Sequence, residues 1–375
     1  MPRVIRYTLL SMRDLLVAAG PFVLLALVLL VGAYFVLKPN PPRTVVLATG
    51  PELSDYAEFG ERYKAALKRH QIEVVLRPTE GSSANRRLLH DAKENVDFGF
   101  VRGGSGESVP AQENARVGLP LVSLGSLFYE PVWLFYRADA EKKLPGGKLE
   151  RLEQLRGWRV NTGGRGSGAT NLMLKLLNAN HLDRESVKLG RLDLTAAALA
   201  LIEGETDAVA IVSAPESQIL QMFLRTPDIK LYEFTQADAY ARRFGYLSEV
   251  VVPRGVVDLA LDLPPSDVKL LAPTAMLVAR EDTHPALMQL FVQAARDIHG
   301  GAGWFARSGQ FPSGQNTELT LAAEAERYYR NGPPLLQRYL PFWLANLIDR
   351  MWVALASIVV ILIPLSRVVP PLYAF

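Results

Sequence analysis

Trp158–Asn180 reads WRVNTGGRGSGATNLMLKLLNAN, and the order of residue types in it decides how the chain folds. Trp158–Arg159–Val160 is a short apolar run that ends a strand. Gly163, Gly164, Gly166 and Gly168 make a tight loop of the residues that follow. From Thr170 onward, Leu172, Met173, Leu174, Leu176 and Leu177 recur at helical spacing. Strand, glycine loop and helix in succession bring unpaired backbone N–H groups and the positive end of a helix dipole to one point. Such a point holds an anion without a charged side chain. Ser167 and Thr170 add hydroxyl donors, and Arg165 or Arg102 supplies a countercharge.

The spacing narrows the kind of anion. Gly163 to Gly168 fits the G-x-x-x-x-G of a phosphate loop, but the lysine that should follow is Ala169. Without that lysine the loop has no grip on a triphosphate, and G-x-G-x-x-G is not matched. A small carboxylate or similar oxyanion fits better, seated on Gly166, Ser167, Gly168, Ala169 and Thr170. The structural alternative is a glycine turn that lets the helix pack closely on its strand.

Working outward, the same rhythm recurs on both sides. Val45–Ala48 is a strand closed by Thr49–Gly50, and Tyr56–His70 is helical with Phe59, Tyr63, Ala66 and Leu67 on one face. Ile72–Leu76 is a strand, and Gly81–Ser82–Ser83 opens a helix to about Ala92. Val96–Val101 is a strand that ends at Arg102–Gly103. This alternation belongs to a parallel α/β sheet, whose ligand crevice is lined by the loops after the strands. Val117–Phe128 and Pro131–Arg137 read as long strands broken at Tyr129–Glu130. Beyond the glycine loop come a helix at Asp193–Glu203, a strand at Ala208–Val212 followed by Ser213, and further alternation to Val252. Val268–Ala279 reads as a strand pair or one long strand, and Pro285–Ile298 as a helix. The chain therefore carries two α/β units.

The 375 residues are 49% apolar and 21% charged, with a formal net charge of +3 and a pI of about 9.0. Much of the positive excess lies near the ends, and no basic stripe interleaved with aromatics runs between Arg43 and Arg330, which argues against nucleic acid. There are no cysteines, so disulfides, thiolate nucleophiles and Cys-ligated zinc are excluded. His70, His90, His181, His284 and His299 are scattered without metal-ligand spacing. Gly166–Ser167–Gly168 lacks the spacing of a nucleophile elbow. Glu130 has the chemistry of a base, but its structural role is to pair with an arginine in the cleft. No enzyme, cofactor or metal site is expected.

Two segments point to the lipid bilayer. Leu15–Leu37 runs without a charge for long enough to span the ~30 Å hydrocarbon core, and Arg3, Arg6 and Arg13 before it place the N-terminus in the cytoplasm. A cleaved signal peptide ending at Val31–Gly32–Ala33 is the alternative. Lys38–Pro39–Asn40–Pro41–Pro42 is a stiff spacer. Phe342–Ile348 and Met351–Leu365 read as a second membrane segment, with Trp343 and Trp352 at interfacial positions. The alternative is a hydrophobic tail docked on the globular part.

Several stretches together resemble one family. They are Leu47–Ala48–Thr49–Gly50; Glu80–Gly81–Ser82–Ser83–Ala84–Asn85 with Leu88–Leu89; Val96–Asp97–Phe98–Gly99–Phe100–Val101; Tyr129–Glu130–Pro131–Val132; and, most specifically, Leu155–Arg156–Gly157–Trp158–Arg159–Val160–Asn161 leading into Gly166–Ser167–Gly168–Ala169–Thr170. Over about Arg43 to Gly300 the chain resembles the TAXI class of TRAP-transporter solute-binding proteins. Its tail, from Ala325 to Ala345, is similar to that of a membrane-anchored branch. Two departures stand out: the class's glycine-rich, tyrosine-bearing first loop is here Pro51–Glu52–Leu53–Ser54–Asp55–Tyr56, and the polar residue after its third strand is here Arg102–Gly103–Gly104.

The resemblance implies a two-lobed periplasmic-binding-protein (type II-like) α/β fold flanked by N- and C-terminal transmembrane helices. It implies capture of a small organic anion or amino acid between the lobes, and partnership with a TRAP-type membrane permease. The expected divisions are residues 1–14 in the cytoplasm, 15–37 spanning, lobe one at 43–128 with 254–300, lobe two at 130–253, a linker and amphipathic helix at 301–341, and a second membrane segment at 342–375. The expected ligand-binding residues are Thr49, Gly50, Ser82, Ser83, Asn85, Arg102, Tyr129, Glu130, Arg165, Gly166, Ser167, Gly168, Ala169, Thr170 and Ser213. The expected hinge crossings are Tyr129–Pro131 and Val252–Arg254. The expected location is a bacterial inner membrane with the globular part facing the periplasm. A periplasmic sensor or interaction domain that signals through its membrane segments is the other class considered.

The topology is testable directly. Alkaline phosphatase fused after Gly300 is expected to be active in cells. A dead fusion there, with an active one at Met1, would reverse the orientation.

Overall fold

The computed structural model describes residues 23–36, 40–52, 54–106, 118–164, 166–215, 217–333, 336, 339–340 and 342–368. The chain divides into two compact units: Pro42–Gly332, and Met1–Pro41 together with Pro333–Phe375.

In the first unit the strands are β1 (Thr44–Ala48), β2 (Glu73–Arg77), β3 (Phe98–Arg102), β4 (Leu121–Tyr129), β5 (Val132–Arg137), β6 (Arg159–Asn161), β7 (Lys188–Gly190), β8 (Ala208–Val212), β9 (Ile229–Leu231), β10 (Leu247–Val252) and β11 (Val268–Arg280). They form two sheets. The first runs β10-β11-β3-β1-β2, with β4 paired to β11; the second runs β7-β6-β8-β5-β9. β1 is parallel to β2 and β3, and β6 is parallel to β7 and β8, as the alternating pattern requires. β11 runs antiparallel to β3, β4 and β10, and β5 runs antiparallel to β8 and β9.

The helices follow their sequence signals. α1 (Asp55–Lys68) starts where the Ser54 side chain accepts a hydrogen bond from the Ala57 N–H, carries Asp55 and Glu58 in its first turn, and buries Tyr56, Gly60, Tyr63 and Leu67. That face is turned slightly from the expected one, because Phe59 and Ala66 are only half-buried. α2 (Ser82–His90) links β2 to β3, and α3 (Ala169–Ala179) follows β6 and buries Leu172, Met173, Leu176 and Leu177. α4 (Leu194–Glu203), α5 (Gln218–Arg225), α6 (Ala237–Arg243), α7 (Pro285–His299) and α8 (Ala323–Asn331) are the other long helices of this unit, beside short turns of helix at Ala138–Glu141 and Leu152–Leu155.

Two chain passages join the sheets. β4 belongs to the first sheet and β5 to the second, so the break at Glu130–Pro131 is a crossing. The expected second crossing was Val252–Arg254. The structure instead makes Val268–Arg280 one unbroken strand that serves both sheets' cores. Its first half pairs with β10, and Leu270, Leu271 and Ala272 pack in the apolar core of the second sheet with Trp133, Phe135, Val209 and Phe223. Its second half pairs with β3 and β4. The chain itself returns to the first sheet between β9 and β10, and β11 spans the join of the two apolar cores near Pro273–Thr274.

Residues 301–322 have little regular structure, as expected, yet they tie the unit together. Trp304 and Phe305 pack against the second sheet's core, with Phe305 5.9 Å from the Trp133 ring. Further along, Ser313 and Leu321 form β-bridges to Ser126 and Ser123 of β4.

In the second unit residues 23–36 are helical, as is α9 (Phe342–Val368). Among the described residues no helix is long and apolar enough to cross a membrane. The helical stretch 23–36 rises about 21 Å, short of the ~30 Å core, and residues 15–22 and 37 of the expected span lie outside the described residues. In α9 the sequence Asn346 to Arg350 interrupts the apolar run with Asp349 and Arg350.

His299 closes α7 inside a box of Phe59, Tyr63 and Phe128, with ring centroids at 4.4, 5.8 and 5.4 Å. Its Nε2 is buried without a hydrogen-bond partner. Burial, with Arg62 adding to it, lowers its pKa from 6.5 to about 3. A base whose folded pKa is lowered is held neutral by the fold, so the unfolded chain binds the extra proton between those two values. Stability is then full above pH 6.5 and falls as the pH drops toward 3. At pH 5 the loss from this one group is about 2 kcal/mol. His299→Phe is expected to flatten the fall in thermal midpoint between pH 7 and 5; an unchanged slope would place the titration elsewhere.

Candidate functional site

The ends of β3, β4 and β8 and the glycine loop converge between the two sheets. Arg102 is the last residue of β3, and Glu130 sits at the β4–β5 crossing. The guanidinium grips the carboxylate with two bonds, Nε to Oε2 at 3.1 Å and Nη2 to Oε1 at 2.7 Å. It also donates to two carbonyls of the second sheet's loops and edges, Ser167 O at 3.2 Å and Val212 O at 2.8 Å. The Tyr56 hydroxyl donates to Glu130 Oε2 at 2.8 Å. The pair is buried, with side chains 7% and 2% exposed. Burial, the largest single influence, pulls the Arg102 pKa down, but Glu130 together with Tyr56 and Asp55 more than offsets it and the net shift is upward. Burial first, and the neighbouring carboxylate second, hold the Tyr56 phenol well above its usual pKa. The phenol is therefore held as a neutral donor to the carboxylate.

The glycine loop meets α2 from the opposite side. Gly81 starts α2 without a side-chain cap, and the Gly166 carbonyl takes that place by accepting from Ser83 N at 3.0 Å and Ala84 N at 3.2 Å. Gly166 and Gly168 both have φ of +79°. A Cβ at Gly166 would stand 2.6 Å from Glu80 Cβ, and one at Gly168 would stand 2.6 Å from Ser105 Cβ. Both positions thus need glycine for conformation and for close approach. Ser167 Oγ accepts from Ala169 N at 3.3 Å, and Thr170 Oγ1 lies 3.0 Å from Thr162 Oγ1. The loop's two hydroxyls thus have partners within its own turn. Arg165 lies outside the described residues.

Other expected residues divide between the cleft and the scaffold. Ser213 and Ala214, just after β8, donate to Asp55 Oδ2 through Oγ at 2.9 Å and N–H at 3.0 Å. Ser82 Oγ accepts from Arg102 N at 2.7 Å and donates to Ser105 Oγ at 2.7 Å, and Ser83 Oγ donates to Ser105 O at 2.8 Å. Asn85 is a scaffold clamp: its amide donates to Thr49 O at 2.5 Å and Phe100 O at 2.8 Å, while its carbonyl accepts from Thr79 Oγ1 at 2.6 Å. Thr49 is buried beside it, and Gly50 O accepts from Thr79 N at 3.4 Å. Tyr129 turns toward residues 310–311, accepting from Gln310 Nε2 at 3.1 Å and packing edge-on against Phe311 at 5.0 Å.

Sequence reasoning missed Asp55, Tyr56, Ser105, Asn171, Lys175 and Glu318. Asn171 Nδ2 donates to Ser105 O at 3.0 Å, and Lys175 Nζ to Gly104 O at 3.0 Å, from the exposed side of α3. Glu318 accepts from Gly104 N at 2.9 Å and faces Arg86 at 3.4 Å. Only Asp55 and Tyr56 carried a local signal, as the first turn after the Ser54 cap. Among the described residues no group of three or more His, Asp or Glu is placed to hold a metal ion.

Two α/β sheets, joined by two crossings with a charged seam between them, define a two-sheet mixed α/β protein. A model of the NMT1-like family matches residues 47–298, and the chain belongs to that family. No curated relative matches the sequence. Solved structures with a similar course include a protein of Bordetella bronchiseptica RB50, with TM-score 0.46 and 16% identity, covering 68% of this chain and 71% of that one. The periplasmic aliphatic sulphonate binding protein SsuA of Escherichia coli aligns with TM-score 0.42 and 15% identity, over 85% and 83% of the two chains. MatC of Rhodopseudomonas palustris with bound malate aligns with TM-score 0.45 and 16% identity, over 85% and 100%.

Breaking one half of a buried ion pair leaves the other charge uncompensated at a cost of about 3–5 kcal/mol, whereas replacing both by apolar residues is near neutral. Arg102→Met and Glu130→Leu are each expected to lower the unfolding free energy of the full chain, read from urea titration, by that order, and the double variant to recover most of it. Losses that simply add would show that the two side chains contribute independently.

Proposed function

We propose that this chain is a membrane-tethered, extracytoplasmic solute-binding protein of the TRAP/TAXI type, which captures a small carboxylate-bearing solute between two lobes for a TRAP-type permease. The observation that carries the reading is Arg102: a guanidinium at the end of a first-sheet strand, reaching both the crossing residue Glu130 and carbonyls of the second sheet. A planar fork in that position matches a carboxylate, which it holds with two parallel bonds. Lobe one comprises residues 43–128 with the second half of β11 and α7. Lobe two comprises 130–253, with β10 and the first half of β11 carrying its edge. The hinge is formed by the crossing at Glu130–Pro131 and the join within β11 at Pro273–Thr274, and closure about it brings the glycine loop onto α2. Thr49, Gly50 and Asn85 support the site from behind. Ser82, Ser83, Ser167, Thr170, Ser213, Tyr129 and Arg165 surround the solute.

The arginines ahead of Leu15 support an orientation with residues 43–340 in the periplasm and both termini in the cytoplasm. The tether is proposed as residues 15–37 with 342–375, attached to a bacterial inner membrane.

A thermal-shift screen of organic acids and amino acids on the full chain in detergent tests the reading. A true solute stabilises the native state by RT ln(1 + [L]/Kd), about 2.7 kcal/mol at a hundredfold excess over Kd. Raised midpoints are expected for carboxylates and not for their amides. A folded chain that no carboxylate stabilises would overturn the proposal.

A further inference from the structure

Among the described residues, three anion-holding groups at the cleft are each matched by an oxygen of the chain itself. Four donor positions of the Arg102 guanidinium are directed at Glu130 Oε2, Glu130 Oε1, Val212 O and Ser167 O. The Ala214 N–H and Ser213 hydroxyl after β8, on the second-sheet side, converge on Asp55 Oδ2 from the first turn of α1. The N-terminal N–H groups of α2 converge on Gly166 O from the glycine loop. The first of these carboxylates has the two-bond geometry with which an arginine holds a carboxylate ligand. The second lies on one backbone N–H and one hydroxyl, the donor set that receives an anionic group at the start of a loop. Two of the three contacts bridge the sheets, as do the Arg102 bonds to Ser167 and Val212.

We infer that Glu130 and Asp55 are built-in carboxylates occupying the cleft's two anion positions, so that the lobes latch on their own groups and a solute enters by displacing one of them. The inference rests on the reading of the cleft as a solute site. It makes Glu130 and Asp55 residues that set which solutes are admitted. A carboxylate must outcompete a partner already held at zero association cost, so weakly held monocarboxylates are rejected. It also makes the closed arrangement available without solute.

The absence of cysteine permits a direct test, because Arg69→Cys and Glu205→Cys, both at exposed positions on opposite sheets, give one defined spin-label pair. With no solute added, the labelled full chain is expected to show a single short-distance population. Asp55→Ala is expected to add a second, longer one. Glu130→Ala is expected to do the same, and acetate, which fits the vacated carboxylate position, to return it to the short population while leaving the otherwise wild-type pair unchanged. Because Glu130→Ala removes half of a buried ion pair, Asp55→Ala decides the matter if that variant fails to fold. A longer population already present in the otherwise wild-type pair, or a single short one in both variants, overturns the latch. Failure of acetate to restore folded Glu130→Ala overturns the surrogate role. A chain that is open yet stabilised by carboxylates sinks the latch and leaves the receptor reading standing. A chain that is latched yet stabilised by none does the opposite.

Discussion

The buried contact between Arg102 and Glu130 is the constraint on which the rest of the central unit depends. A guanidinium cannot be left unpaired away from water, and neither can a carboxylate. Their burial requires that β3 end where β4 crosses to β5, and that the ends of β8 and the glycine loop close over them to supply carbonyls. Tyr56 completes the set from α1, with its ring stacked on Phe100 at 5.2 Å. Four elements from two sheets are thus positioned by one charge pair, and the apolar cores on either side determine how firmly they are held there.

The glycine loop shows how tertiary contact adds a role that local geometry does not record. Strand, loop and helix place N–H groups at the start of α3, which is an anion site by local geometry. In the folded chain the loop also presents a carbonyl, and α2 presents the N–H groups that receive it. Gly166 and Gly168 are required there by their positive φ and by the close approach of Glu80 and Ser105.

Two other elements bind the sheets to each other. β11 is a single strand with its first half in one apolar core and its second half hydrogen-bonded to β3 and β4. Residues 301–322 reach from Trp304 and Phe305 against the second sheet to bridges on β4. Both elements therefore contact each sheet or its core.

By itself the sequence determined the element order, the parallel pairing of β1 with β2 and β3, the break at Tyr129–Glu130 and the pairing of Glu130 with a cleft arginine. Those features rest on periodicity, on turn residues and on the rule that a buried acid needs a cation, all of which are local or nearly so. Only the tertiary structure decided that the arginine is Arg102, that Asn85 is a clamp, that β11 spans both apolar cores, and that Asp55 meets Ser213. The Arg102 partners lie 28, 65 and 110 residues away along the chain, and Asp55 lies 158 from Ser213. No pattern in a short window records such pairings, because they are chosen by which loop ends two folded sheets bring within about 3 Å of one another.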